Sequence, residues 1–188
     1  RHHATIMGAA MPLLTNKRSQ RLANLRQLIA KAGFDGWIIG REDMYQGEEV
    51  PAGEERLAYL SGFTGSAGFA VVLDEMAGLF SDGRYSLQME AQTNKDDWQC
   101  NTINNVDCED WLKVAQLNDG FTIGIDGRLV SVSGFERFER AVAAAGGVAE
   151  GVESTAMHCD QLPSRCRAAQ RLQRSEHRGW VVSKGRGG

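Results

Sequence analysis

The sequence predicts an α/β domain in which a mixed sheet is flanked by helices. Short apolar runs alternate along the chain with longer segments of helical periodicity, and such interleaving is typical of layered α/β folds. Two of the apolar runs, within residues 67–82, are separated only by a turn near Asp74 and Glu75. Because so short a turn joins antiparallel strands, we expect a mixed sheet rather than a purely parallel one.

The first half of the chain is expected to contain two helices and three strands in a regular order. The segment NKRSQRLANLRQLIAKAG places Leu22, Leu25, Ile29 and Ala32 on one helical face, and Gly33 ends this helix. A strand in DGWIIG, a polar loop and a short helix in ERLAYLSG follow. The strands AGFAVVLDE and AGLFSD come next.

The second half continues the alternation. A helix in GRYSLQMEAQTN precedes a strand in WQCNTI, and a helix in DCEDWLKVAQL has Asp107 as its predicted N-cap. The strand FTIGID leads to a last helix in SGFERFERAVAAAGG. There Ser133 and Glu136 have the spacing of a capping box, and Gly146 ends the helix.

The two ends of the chain differ from its middle, so we predict three parts. Residues 15–152 form the domain, whereas residues 1–14 are expected to be disordered or non-native. Residues 153–188 hold six arginines and one lysine against three acidic residues, without a helical or strand period. We expect a disordered or out-of-frame tail there, and a basic binding tail is the alternative.

Composition excludes several classes of function. A net charge of −3 gives no reason to expect a nucleic-acid partner. The apolar run near the start is too short to span a membrane, so no membrane partner is expected. The four cysteines form no CxxC pair and predict neither a zinc site nor a disulfide framework. The expected setting is the reducing cytoplasm.

The histidines constrain the chemistry further. All four lie in the two ends, at His2, His3, His158 and His177. The predicted domain therefore lacks the base of a Ser/His/Asp or Cys/His nucleophilic site. It also lacks the histidine of a mixed histidine and carboxylate metal site. We predict no catalytic residue and no metal ligand in the domain.

Three glycines at a spacing of three, Gly62, Gly65 and Gly68, occur in YLSGFTGSAGFAVVLDE. The segment has no lysine, so it is not a phosphate-binding P-loop. It does not have the GxSxG pattern of a nucleophile elbow, and a strand rather than a helix follows it. We interpret the glycines as a sharp turn and a close approach of the backbone to its neighbours.

An Asp-Gly-Arg tripeptide follows two of the predicted strands. In both cases the aspartate could cap the next turn while glycine permits the turn. The alternative is functional: the arginine is held at the end of a strand, where α/β sheets tend to bind ligands. The two tripeptides are Asp82, Gly83, Arg84 and Asp126, Gly127, Arg128.

These stretches together resemble a known domain. REDMYQGEEVPAGEERLAYLSGFTGSAGFAVVL and AGLFSDGRYSLQMEAQ, followed by IGIDGRLVS, are similar to the N-terminal domain of Xaa-Pro aminopeptidases in the creatinase/prolidase, or pita-bread metallopeptidase, family. The similarity covers about residues 18–150. Two positions depart from the family pattern, since its usual histidine is Tyr45 here and its usual tyrosine is Glu49.

The resemblance implies a mixed-sheet creatinase/prolidase N-terminal domain that does no chemistry itself. In the complete enzyme a separate domain would hold two divalent metals, usually manganese, through two Asp, one His and two Glu. That enzyme would release the N-terminal residue from a peptide with proline in second position. The N-terminal domain would shape access to the active site and contribute to a homodimer.

The resemblance and the strand-end position together suggest substrate contacts. Arg84 is the first candidate, because a permanent cation could meet a peptide carboxylate. Asp82 and Tyr85 would position it. Asp43, Gln46 and Glu48 on the preceding loop are secondary candidates. Each of these residues could instead be a cap or part of a solvated loop.

Two functions remain open from the sequence. The chain is the non-catalytic N-terminal domain of a proline-specific metallo-aminopeptidase, or a stand-alone module of the same fold that binds a peptide or protein without catalysis. Whether the chain has enzymatic activity of its own is left open. A nucleotide-binding domain is disfavoured, because the glycine pattern fits no phosphate-binding motif.

Overall fold

A computed structural model describes residues 7–47, 49–51, 53–103 and 107–152, with side chains from residue 17 onward. The elements in chain order are α1 Met7–Lys31, β1 Gly36–Gly40, α2 Arg56–Ser61, β2 Phe69–Leu73, β3 Ala77–Ser81, a 3-10 turn Gly83–Tyr85, α3 Ser86–Gln92, β4 Gln99–Thr102, α4 Cys108–Val114, β5 Thr122–Asp126, α5 Val132–Ala144 and β6 Val148–Val152.

The described strands form one mixed sheet in the order β4-β3-β2-β1-β5-β6. Strand β2 runs antiparallel to both of its neighbours, β1 and β3. The remaining neighbours pair in parallel: β1 with β5, β3 with β4, and β5 with β6. Consequently β2 alone of these strands is reversed, and the other five end at one edge of the sheet. We call this the carboxyl edge.

Helices cover both faces of the sheet. On one face α1 and α2 pack against strand residues through a cluster that includes Leu22, Leu57 and Leu79. On the other face α4 and α5 pack through a second cluster that includes Trp111, Phe138 and Ile123. The central strands β2 and β3 are buried along their whole length, so the core is formed on both sides of them.

The predicted α/β fold with a mixed sheet is confirmed. The antiparallel pairing of β2 with β3 matches the two strands expected within residues 67–82. The predicted cap of α4 is confirmed as well, because the Asp107 side chain accepts a hydrogen bond of 2.9 Å from the amide of Asp110. Local chemistry at these positions and the tertiary fold favour the same structure.

One local prediction was wrong, and the sequence analysis did not reveal one strand. Helix α5 is capped by Ser131, whose hydroxyl accepts from the amide of Gly134 at 3.1 Å, and not by Ser133. Both serines precede the apolar face, and the cap falls on the one with extended backbone. Strand β6 was not predicted, because Glu150 and Gly151 have low strand propensity. The strand forms as an edge strand of the sheet, paired with β5.

The predicted division of the chain stays a prediction. Helix α1 begins at Met7, inside the segment 1–14 that was set apart from the domain. The tail predicted from residue 153 lies outside the described residues, and so do all four histidines.

The two serines at the start of α5 provide a test of this N-terminus. We expect Ser131→Ala to lower the free energy of unfolding by about 1 kcal/mol, because the Gly134 amide loses its acceptor. Ser133→Ala should lower it by only a few tenths, since Ser133 shares just a 3.3 Å hydroxyl contact with Ser131. Urea unfolding of the two variants measures the difference. Equal losses would contradict the assignment of the cap.

Candidate functional site

The carboxyl edge brings the two Asp-Gly-Arg tripeptides to the same side of the sheet. Strand β3 ends at Ser81, directly before Asp82, and β5 ends at Asp126. Two strands, β2 and β1, lie between them. We call residues 82–84 the first corner and residues 126–128 the second corner. With strands about 4.8 Å apart, the two corners are separated by roughly 14 Å along the edge. The prediction that each arginine follows the end of a strand is confirmed.

At the first corner the aspartate holds both the backbone and the side chain of the arginine. The Asp82 carboxylate accepts from the amide of Arg84 at 2.9 Å, from its Nε at 3.0 Å and from its Nη2 at 2.7 Å. The backbone bond caps the 3-10 turn. The Arg84 side chain remains 77 % exposed, so the pairing that orients its guanidinium also leaves the side chain accessible.

The second corner has the same geometry in a different environment. Asp126 accepts from the amide, Nε and Nη2 of Arg128 at 3.0, 3.2 and 3.0 Å. Here the arginine side chain is 33 % exposed and the aspartate 7 %. Asp126 thus caps its turn and orients its arginine as Asp82 does, and ligand binding by either arginine stays a prediction. Only the first corner presents its cation openly.

The ion pair at the first corner shifts both pKa values. The side-chain hydrogen bonds from Arg84 lower the pKa of Asp82 below its ordinary value of 3.8. The same hydrogen bonds, together with the charge of Asp82, raise the pKa of Arg84. Both groups are therefore charged throughout the neutral range, and the corner presents a dipole whose positive end is exposed.

Tyr85 lies beside this corner. The guanidinium carbon of Arg84 is 5.5 Å from the centre of the Tyr85 ring, within the range of a cation–π contact. The ring in turn meets Phe63 edge to face, with centroids 5.9 Å apart. Asp82, Arg84 and Tyr85, the first three candidates from the sequence, are thus brought together.

The secondary candidates lie on a separate loop. Asp43 is buried, and its Oδ1 accepts from the amides of Tyr45 and Gly47, each at 3.0 Å. Gln46 donates from Nε2 to the carbonyls of Asp43 and Leu129, each at 3.1 Å. This loop is therefore attached beside the second corner rather than the first. Glu48 lies outside the described residues, and contact of these three with substrate stays a prediction.

The three glycines have the backbone role expected of them. Gly62 ends α2 with a φ of 89°, a left-handed conformation that favours glycine. A Cβ at Gly65 would collide with the ring of Phe63. Gly68 has a φ of 149°, and a Cβ there would lie 2.7 Å from the carbonyl oxygen of Phe80. The segment is a sharp turn pressed against its neighbours.

The hydroxyl side chains between these glycines were missed by the sequence analysis. Ser66 Oγ lies 2.5 Å from the phenol oxygen of Tyr85. Thr64 contacts the amide group of Gln92, accepting from its Nε2 at 3.0 Å, and Gln88 also donates to Thr64 at 3.2 Å. The spacing of Gln88 and Gln92 on one helical face was the available clue. It suggests a polar face on α3, but it does not identify the partner.

A second feature that the sequence analysis missed is a cluster of charged side chains near the ends of β1 and β5. A pocket there has apolar walls that include Trp37 and Ile39, and its charged lining includes Arg56 and Asp126. Burial lowers the pKa of Arg56, and the charge of Glu54 opposes this shift. Arg56 Nη2 lies 3.5 Å from Glu54 Oε2. The two side chains are 12 % and 13 % exposed, and the charges of Asp126 and Arg128 at the second corner also act on the pKa of Arg56.

No metal cluster is found in the described part of the chain, and the thiol of Cys108 is buried. No three His, Cys, Asp or Glu side chains there are grouped to hold a metal ion. Burial raises the pKa of Cys108 to about 12, so its thiolate is not available at neutral pH. No helix in the described residues is long and apolar enough to cross a membrane.

Known proteins share this architecture. Residues 21–161 match the creatinase/prolidase N-terminal domain. The chain is 34 % identical over 133 residues to Xaa-Pro aminopeptidase 2 of Rattus norvegicus, which is 69 % of this chain and 19 % of that protein. The crystal structure of the X-prolyl aminopeptidase of Caenorhabditis elegans, described as a cytosolic enzyme with a di-nuclear active site, has a TM-score of 0.61 and 27 % identity. That match covers 72 % of this chain and 24 % of the enzyme.

An isolated domain gives a complementary match. The N-terminal domain of the cytoplasmic peptidase PepQ from Mycobacterium tuberculosis matches with a TM-score of 0.53 and 23 % identity, over 71 % of this chain and 92 % of that domain. At this identity the match shows the fold alone. The chain spans about a quarter of the length of the full enzymes that it matches.

The fold and the carboxyl edge define a helix-flanked, mixed-sheet α/β domain with an arginine corner at a strand end. With more than half of its residues matched, the chain belongs to the creatinase/prolidase N-terminal domain family, as its resemblance implied, and it is homologous to the N-terminal domain of Xaa-Pro aminopeptidases.

The pKa of Asp82 tests the geometry of the first corner. In Arg84→Ala the largest cause of the lowered pKa is gone, so we expect the pKa of Asp82 to rise toward 3.8. Because the folded-state pKa is lowered, the stabilisation from this pair is present above the unfolded pKa and is lost as the pH falls through the folded pKa. Side-chain ¹³C NMR titration measures the value. An unchanged pKa in Arg84→Ala, with Arg140→Ala as the control, would contradict the pairing.

Proposed function

We propose that this chain is the non-catalytic N-terminal domain of a proline-specific metallo-aminopeptidase. The complete enzyme would release the N-terminal residue that precedes proline in its peptide substrate. Family membership supports this proposal, and so does the share of the relatives' length that the chain spans, about a quarter. The names of those relatives, which are Xaa-Pro aminopeptidases, support the choice of substrate class.

Within that enzyme Arg84 would bind a peptide carboxylate, and one observation carries this role. Asp82 aligns the Arg84 guanidinium through Nε and Nη2, and the Arg84 side chain is nevertheless largely exposed. A guanidinium has five N–H donors, and Asp82 uses only two of them. The outward Nη1 and Nη2 hydrogens remain for a second carboxylate, which they could bind in a bidentate manner.

The affinity of this contact should be modest. Asp82 already neutralises the charge of Arg84, and an exposed ion pair gains little in water. The corner would therefore select and orient a peptide end rather than hold the peptide by itself. A role of this kind suits a domain that shapes access to a site located elsewhere.

We further propose that the carboxyl edge faces the rest of the complete enzyme. Four large apolar side chains are exposed close to where the strands end: Tyr45 after β1, Leu87 after β3, Ile103 after β4 and Val132 after β5. Exposed apolar side chains in the segments that follow the strand ends are candidates for contact with another domain or subunit. This surface would contact the catalytic domain or the second subunit of a homodimer.

The metals would belong to the catalytic domain. Two divalent ions, such as Mn²⁺, would there supply an activated water for hydrolysis. The described residues of this chain offer no group of ligands that fits such a pair, so no catalytic step is assigned to them. A cytoplasmic setting is part of the proposal and agrees with the cytosolic enzyme from Caenorhabditis elegans.

The alternative is a stand-alone module that binds a peptide or protein without catalysis. Arg84 favours it equally, because an exposed, oriented cation needs no catalytic domain to bind a carboxylate. Either function implies that the purified chain hydrolyses no Xaa-Pro peptide. Turnover that depends on added Mn²⁺ would contradict both.

A titration with matched peptides tests the role of Arg84. We expect Gly-Pro-Leu with a free carboxylate to shift the ¹H–¹⁵N NMR signals of residues 82–88, and its C-terminal amide to bind less tightly. Arg84→Ala should weaken binding of the free acid about fivefold, since it removes a charge-assisted hydrogen bond that water partly replaces. Arg140→Ala removes an exposed arginine from α5 and serves as the control. Equal affinity of Arg84→Ala and the unmodified chain would rule out this role.

A further inference from the structure

We propose that Ser66 is a positioning residue for Arg84 and acts through Tyr85. This inference rests on the proposed carboxylate-binding role of Arg84 and assigns a function to the hydroxyl side chain of the glycine-rich segment. It concerns three contacts in series: Ser66 with Tyr85, Tyr85 with Arg84, and Arg84 with its ligand.

The first two contacts are direct. Ser66 Oγ and the Tyr85 phenol oxygen are 2.5 Å apart, the distance of a strong hydroxyl–hydroxyl hydrogen bond. The Tyr85 ring is then the surface over which the Arg84 guanidinium lies, 5.5 Å from its centre. A change in the direction of the ring therefore moves the surface beside the cation.

Ser66 stands on a segment that is attached to the domain on both sides. Before it, the amide of Thr64 donates to Gln92 Oε1 at 2.9 Å. After it, the carbonyl of Ala67 accepts from Ser81 Oγ at 2.6 Å, and Ser81 is buried at the end of β3. The Ser66 hydroxyl is thus fixed relative to the sheet, so a hydrogen bond to it fixes the position of Tyr85 as well.

The first corner needs a contact of this kind to fix its direction relative to the sheet. Asp82 ties the guanidinium to the backbone of its own 3-10 turn, only two residues away. This local pairing sets the shape of the corner but not its direction relative to the carboxyl edge. The Ser66–Tyr85 hydrogen bond joins the turn to a segment 19 residues earlier in the sequence. It is therefore a long-range contact that orients the corner.

Substitutions of Ser66 and Tyr85 test the inference in the full chain. We expect Ser66→Ala to weaken binding of free-acid Gly-Pro-Leu roughly twofold to threefold, less than Arg84→Ala does, because Arg84 remains while the hydrogen bond that orients Tyr85 is lost. Tyr85→Phe keeps the ring, loses the same bond and should have the same effect. Ser66→Thr keeps a hydroxyl at an exposed position and should restore the affinity. None of these changes should alter binding of the C-terminal amide, which does not use Arg84.

The outcomes separate this inference from the function on which it rests. If Arg84→Ala leaves the free-acid affinity unchanged, the proposed function fails and the inference fails with it. If Arg84→Ala weakens binding but Ser66→Ala does not, only the inference is overturned. Equal weakening of the free acid and the amide by Ser66→Ala would indicate a general structural effect and would also overturn it. Ser133→Ala, a serine substitution on α5 away from the corner, is the control.

Discussion

The pairing of β1 with β5 is the constraint on which the rest of the structure depends. Strand β1 joins the β4-β3-β2 half of the described sheet to the β5-β6 half. In the parallel register Trp37 is opposite Gly124, and a Cβ at Gly124 would collide with the Trp37 indole. The Trp37 indole therefore occupies the space that a side chain at position 124 would need. Because this pairing is parallel, the ends of β3 and β5 face the same edge and bring the two Asp-Gly-Arg corners to one side.

The two corners place the same motif in two environments that differ in burial. In each, an aspartate accepts three hydrogen bonds from the arginine two residues later, with nearly equal distances. At the second corner the pair is largely withdrawn from water and stands beside the buried ion pair of Arg56 and Glu54. Breaking such a pair leaves an uncompensated charge in the interior, which is costly. At the first corner the same bonds stabilise little but determine where an exposed cation points.

Much of this could be predicted from the sequence, because the relevant information is local. Strand and helix periods, the two-residue separation in Asp-Gly-Arg and the Asp107 cap all act within a few residues. The choice of Ser131 over Ser133 as a cap depends on where the chain leaves β5, which no short pattern contains. The Ser66–Tyr85 and Thr64–Gln92 contacts join segments 19 and 28 residues apart. Contacts of that range follow from the sheet order, which the sequence alone did not provide.

The central claim is that Arg84 is a ligand-binding cation whereas Arg128 is a structural one. The arginine Nε–Hε signals in ¹H–¹⁵N NMR spectra compare the two directly, since both groups donate to an aspartate in the same way. On addition of Gly-Pro-Leu with a free carboxylate, we expect the Arg84 signal to shift with saturation and the Arg128 signal to stay in place. Equal shifts of both signals, or a shift of Arg128 alone, would contradict it.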